Sequence, residues 1–151
     1  MNLLLVLMLA NPLRIAVLGD RSGHPDQDEF ILACESIRLM CPDIILSVGD
    51  YVEGNGDVET AVEDWGVVKP VLEELESVAP LIYTPGNNDI WNDETADYWR
   101  EYTGTEPSHI TVSGGIRFVV WDSSIGEVLL EEDILEISDL VSGEQNSTPW
   151  M

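Results

Sequence analysis

Positive charge is what this chain has least of. Only 6 Lys and Arg residues stand against 29 Asp and Glu in 151 residues, a formal net charge of -23. So few cations cannot neutralise a run of phosphates, which excludes a nucleic-acid polymer or an anionic membrane surface as the partner. Divalent cations suit such a surface better, although most of the carboxylates read simply as a solvated acidic exterior. Cysteine is also scarce. Cys34 and Cys41 lie two turns apart on one expected helix, about 10 Å along its axis, too far for a disulfide. Both read as small buried hydrophobes. Histidine is limited to His24 and His109. Long apolar runs are missing too: the longest covers residues 3–10, well short of the roughly 20 residues of a membrane-spanning helix. That run has the length of a secretory core, but no Lys or Arg precedes it. The readings stay open: an export signal over residues 1–10, giving a periplasmic or extracellular protein, or an uncleaved hydrophobic extension or misassigned start of a cytoplasmic one.

What is present is a core. With 44% hydrophobic residues the chain is large enough to fold as a single domain. Residues 13–18 form an apolar run that stops at Gly19-Asp20, which predicts a buried strand. Phe30, Ile31, Cys34, Ile37 and Cys41 then recur at helical spacing between Asp26 or Gln27 and Pro42. Residues 43–48 give the next strand, ending at Gly49-Asp50, and strand, helix and strand at this spacing predict a right-handed parallel unit. A long helix over 58–77 follows, with Val62, Trp65, Val68, Val71, Leu72 and Leu75 on its inner side and Pro70 within it. A third strand over 81–84 leads into Pro85-Gly86-Asn87-Asn88-Asp89. A short helix is expected over 94–102, then strands over 108–112 and 116–121 joined by the hairpin signal Gly114-Gly115. An acidic helix over 127–140 and a loose tail over 142–151 close the chain. The fold class is α/β, a mixed sheet with flanking helices.

Three polar turns therefore follow three expected strands: Leu18-Gly19-Asp20, Val48-Gly49-Asp50 and Pro85-Gly86-Asn87-Asn88-Asp89. A parallel sheet brings the C-terminal ends of its strands to one edge, so Asp20, Asp50 and Asn87 should gather at a common rim. Carboxylate and amide oxygens suit hard divalent cations, and a glycine before each aspartate lets the backbone turn sharply beside an ion. A carboxylate can bridge two metals about 3.5–4 Å apart, a pair that holds a phosphoryl group and acidifies a bound water. Taken singly, a Gly-Asp after a strand is as well explained by a turn former or helix cap. The ordered set of three points to a metal site.

The order Val17-Leu18-Gly19-Asp20, Ser47-Val48-Gly49-Asp50 and Pro85-Gly86-Asn87-Asn88-Asp89, with Phe118-Val119-Val120-Trp121-Asp122-Ser123-Ser124 later, resembles the calcineurin-like metallophosphoesterase superfamily. Gly19-Asp20-Arg21-Ser22-Gly23 resembles a branch whose first motif reads Gly-Asp-Arg-Thr-Gly, and Gly49-Asp50-Tyr51-Val52-Glu53-Gly54 fits the second motif of that branch. The resemblance implies the N-terminal half of a metallophosphoesterase-like α/β sandwich over residues 13–141. It also implies two divalent ions drawn from Mn, Fe, Zn or Mg, and a phosphoester as substrate. Asp20 would bind the first metal, Asp50 would bridge both, and Asn87 would bind the second. Asn88 occupies the position of the histidine that assists the leaving oxygen. An amide donates a hydrogen bond but delivers no proton, which costs roughly 10²–10⁴-fold in rate if nothing substitutes.

The family closes its metal site with further histidines downstream, and the two histidines here do not match them. His24 is a candidate for the first metal or the substrate, or a solvent-facing loop residue; His109 reads as structural. Arg21 reads equally as a phosphate contact or as an ion-pair partner of Asp20. Two readings explain the missing motif: the chain is expected to be the N-terminal part of a longer enzyme, and the alternative is a complete, shortened protein. Functionally, a metal-dependent phosphoester hydrolase is expected. The alternative is a non-catalytic cation-binding or interaction domain of that descent. A nucleotide-binding domain is the weakest reading, because no glycine-rich phosphate loop opens either long helix.

Overall fold

The computed structural model describes residues 12–124 except 24, 25 and 55, together with 134, 135, 137, 138 and 141. The elements are β1 (Ile15–Leu18), α1 (Gln27–Met40), β2 (Ile44–Ser47), α2 (Val58–Glu76), β3 (Leu81–Ile82), α3 (Asp93–Thr103), β4 (His109–Ser113) and β5 (Ile116–Val120). The expected export signal, and most of the acidic helix expected over 127–140, lie outside the described residues.

Each helix starts where a short polar side chain satisfies its free N–H groups. Asp26 accepts from Asp28 N and Glu29 N to open α1, and Asp57 accepts from Thr60 N to open α2. Asn92 and Thr95 form a reciprocal capping box on α3. Helix α1 stops at Cys41, whose φ of 47 is left-handed and whose successor is Pro42. That conformation turns Cys41 outward, so of the two cysteines only Cys34 is buried. The expectation of two buried thiols fails at Cys41, because a residue that ends a helix leaves the apolar face.

Strands β1, β2 and β3 form a parallel sheet in that order, with Ile15 opposite Ile44, Leu18 opposite Ser47 and Ile45 opposite Leu81. Two successive right-handed crossovers in one direction put α1 and α2 on the same face. There Leu18, Ile45, Phe30, Cys34, Ile37, Trp65, Leu72 and Trp99 make the main core. Trp65 and Trp99 are almost wholly buried, and truncating either would cost about 3–5 kcal/mol. The opposite face carries the alternate residues Ile44 and Ile82, which meet Val120 and Phe118 of the antiparallel hairpin β4–β5. The mixed α/β architecture is thus realised as a parallel sheet and a separate antiparallel hairpin. On that second face Ile15 and Val17 of β1 remain exposed. Among the described residues no helix is long and apolar enough to cross a membrane.

The core fixes where the strands end. Strand β3 is shorter than the sequence suggests because the N–H of Thr84 donates to Ser47 Oγ at 3.0 Å instead of to a β2 carbonyl. Pairing stops there, and the chain is free to turn across the end of β2.

Candidate metal centre at the strand ends

Because β2 lies between β1 and β3, its turn can touch both neighbours. On one side the Arg21 N–H donates to the Asp50 carbonyl at 2.9 Å. The Gly23 N–H donates to Glu53 Oε2 at 2.7 Å. On the other side the Asn88 N–H donates to Asp50 Oδ1 at 2.8 Å. The turns that carry Asp20, Asp50 and Asn87 therefore form one continuous rim.

The second and third turns interlock through two glycines. A Cβ on Gly49 would lie 2.5 Å from Gly86 N, and one on Gly86 would lie 2.1 Å from Asp50 Oδ1. No side chain fits at either contact. Gly49 has φ 83, and Asp50 itself is left-handed at φ 54, a conformation that Asp tolerates better than bulkier residues.

Asp20 is exposed, Asp50 half-buried and Asn87 exposed. Asp20 Oδ1 accepts from Ser22 N at 2.6 Å and from Ser22 Oγ at 2.8 Å, so this carboxylate also closes its own turn. Beside it opens a cleft of about 340 Å³ lined by Gly19, Asp20, Ser22, Asp26, Glu29 and Phe30 among others.

Arg21 points inward. Its side chain is only 6% exposed, and the guanidinium donates to the Tyr51 carbonyl at 3.1 Å and to Gln27 Oε1 at 3.2 Å. Its ion-pair partner is Asp64 at 3.6 Å, a residue of α2, and not Asp20. Asp64 in turn accepts from Glu53 N at 2.8 Å. His109 stands apart at the start of the hairpin, with Nδ1 hydrogen-bonded to the Glu106 carbonyl at 2.8 Å. His24 lies outside the described residues.

Asp89 has no role in the sequence-based reading, and it is the most heavily bonded carboxylate of the rim. It is 1% exposed. Its Oδ2 accepts from Asp50 N at 2.7 Å and Gly86 N at 2.9 Å; its Oδ1 accepts from Tyr51 N at 2.8 Å and Val52 N at 3.3 Å. Burial pushes its pKa up to about 7 against the opposing pull of those four N–H groups. The only sequence signal for this role was an acidic residue closing an Asn-rich turn.

Among the described residues no three of His, Cys, Asp and Glu gather as a ready-made metal cage. What the rim offers is two carboxylates and an amide, all oxygen donors, next to a glycine contact that keeps side chains away from Asp50. That donor chemistry fits a hard divalent cation.

No curated protein and no solved structure matched the chain. A family model described as calcineurin-like phosphoesterase matches residues 13–145, a span that contains the whole rim and nearly all of the chain. The chain belongs to the calcineurin-like phosphoesterase family.

Proposed function

We propose that this chain carries the metal-binding rim of a metal-dependent phosphoester hydrolase. The observation that supports it most is the joining of three strand-end turns, each with an oxygen ligand, through the central Asp50 turn. Asp20, Asp50 and Asn87 would hold the ions, with Asp50 between the other two; that its turn follows the central strand supports this reading. Bound divalent cations supply a nucleophilic water at neutral pH and neutralise the charge of the phosphoryl group. The protein's own contribution is to hold its oxygens still, so that little reorganisation accompanies the reaction. Arg21 braces the first turn against the second, since its guanidinium is committed to Tyr51, Gln27 and Asp64. The Asn88 side chain orients a phosphoryl oxygen by donating a hydrogen bond, without protonating the leaving group.

The test is hydrolysis of an aryl phosphate with added Mn²⁺ by the wild-type chain and by Asp50→Asn. Asparagine tolerates the left-handed backbone at position 50 and keeps an oxygen for the Asn88 N–H, so the change removes charge without dismantling the turn. A Mn²⁺-dependent rate that falls at least 100-fold in the variant supports the reading; equal rates would overturn it.

A second reading, a cation-binding or interaction domain without turnover, is favoured by Asn88 at the position of the family's histidine. It expects Mn²⁺ binding that depends on Asp50, with no phosphate release.

A further inference from the structure

We infer that Asp89 is the positioning residue of the rim: its buried carboxyl group serves as the internal acceptor that holds the Asp50 turn in its ligand-presenting shape. The inference rests on the proposed metal site and adds a residue that would touch neither metal nor substrate. Three successive N–H groups, those of Asp50, Tyr51 and Val52, converge on the Asp89 carboxylate, and the Gly86 N–H makes a fourth donor. Consecutive amides that curl around one anion form a nest, a concavity that binds negative charge strongly. Here the nest is filled by the protein itself.

The arrangement is reciprocal. Asp50 gives its backbone N–H to the third turn through Asp89, while its side-chain Oδ1 accepts the Asn88 N–H from that same turn. Backbone and side chain of Asp50 are thus both pinned, although the residue has a left-handed φ that a loop would otherwise relax. None of the four N–H groups lies in a β-ladder, so without Asp89 they would lose their acceptor, those of Tyr51 and Val52 in the buried interior. A neutral amide cannot replace the carboxylate, because its NH₂ would face N–H donors instead of accepting from them.

Two measurements test this. In the first, Mn²⁺ affinity is read by calorimetry for wild type, Asp89→Asn and Asp57→Ala, the last removing only the cap of α2. Asp89→Asn should weaken Mn²⁺ at least 10-fold while remaining folded by circular dichroism; Asp57→Ala should lower the melting temperature and leave affinity unchanged. Wild-type affinity in a folded Asp89→Asn protein would overturn the inference. The second uses the wild-type chain and remains decisive if Asp89→Asn does not fold. Amide hydrogen exchange at Asp50, Tyr51 and Val52 should be as slow as in β2, whereas exchange as fast as at the exposed Gly56 would overturn it. If wild type binds no Mn²⁺, the metal reading fails and the exchange rates alone decide whether Asp89 braces the turn.

Discussion

Gly86 and Asp50 are in contact so close that the position can hold no side chain: a Cβ on Gly86 would sit 2.1 Å from Asp50 Oδ1 and 2.5 Å from Asp50 N. The third turn crosses the second at the point where the proposed bridging carboxylate emerges. The obstacles are the Asp50 backbone nitrogen, which cannot swing aside, and the Asp50 carboxylate, whose Oδ1 accepts the Asn88 N–H.

Gly86→Ala should therefore displace one turn from the other. The expected loss is about 1–3 kcal/mol of stability, the usual cost of forcing an extra methyl into packed structure, with Mn²⁺ binding lost as well. Gly66 is the contrast. It sits exposed in α2, and a Cβ there would meet nothing within 4 Å. Gly66→Ala should raise stability by about 0.5–1 kcal/mol through helix propensity and reduced freedom of the unfolded chain. Urea unfolding of the two variants should give shifts of opposite sign.

Arg21 separates bracing from substrate contact. If its guanidinium ties the first turn to Tyr51 and α2, Arg21→Ala leaves a mostly buried Asp64 without its cation and should cost about 3 kcal/mol. The melting temperature falls, and kcat falls with it as the rim loosens. A variant with unchanged melting temperature and a raised KM would identify a phosphate contact instead. Arg21→Lys should recover little, because one ammonium cannot reach the carbonyl, the amide and the carboxylate that the planar fork serves together.

The two thiols should differ in reactivity. Burial pushes the Cys34 pKa from 9.0 up to about 11, so its thiolate fraction near neutrality drops roughly 100-fold, while Cys41 is exposed. A thiol reagent should label Cys41 at once and Cys34 only on unfolding. The sign of the linkage follows. A thiol with a folded pKa above its unfolded value stabilises fully below pH 9 and loses that contribution as pH climbs towards 11. Urea midpoints of wild type should therefore fall between about pH 8 and pH 10.5, and Cys34→Ala should fall less steeply over that interval.

The sequence made the strands and their turns legible because both are local: an apolar run followed by Gly-Asp is readable without knowing what lies opposite. The gathering of the three turns at one edge followed from the parallel direction that two strand-helix-strand crossovers impose. The braces were not legible. Asp89 meets Asp50, Tyr51 and Val52 across 37 to 39 residues, and nothing in the third turn says that its last carboxylate faces inward while Asn87 faces out. Sequence proximity offers Arg21 a phosphate or its nearest acid, Asp20, as equal partners, but a guanidinium on a long stem reaches past Asp20 to α2. Thr84 belonged to a strand by propensity and left it because a serine hydroxyl took its N–H. In each case the deciding partner was remote in sequence.

Asn88 makes the sharpest demand on the proposed chemistry. Its backbone N–H supports Asp50 Oδ1 whatever the side chain is, so Asn88→His changes the side-chain chemistry while leaving that hydrogen bond in place. With asparagine the leaving oxygen departs unprotonated, and the rate should fall steeply as the leaving group becomes more basic. Histidine supplies a proton, so Asn88→His should raise kcat on alkyl phosphates by up to roughly 10²-fold and change it little on activated aryl phosphates. The gain should fade as pH rises past about 6.5, where the imidazole loses the proton it must donate. A series of phosphate monoesters measured with Mn²⁺ gives the slope of rate against leaving-group basicity. An unchanged slope in the variant would mean that position 88 does not face the leaving oxygen, and the absence of turnover in both proteins would favour the cation-binding domain over the hydrolase.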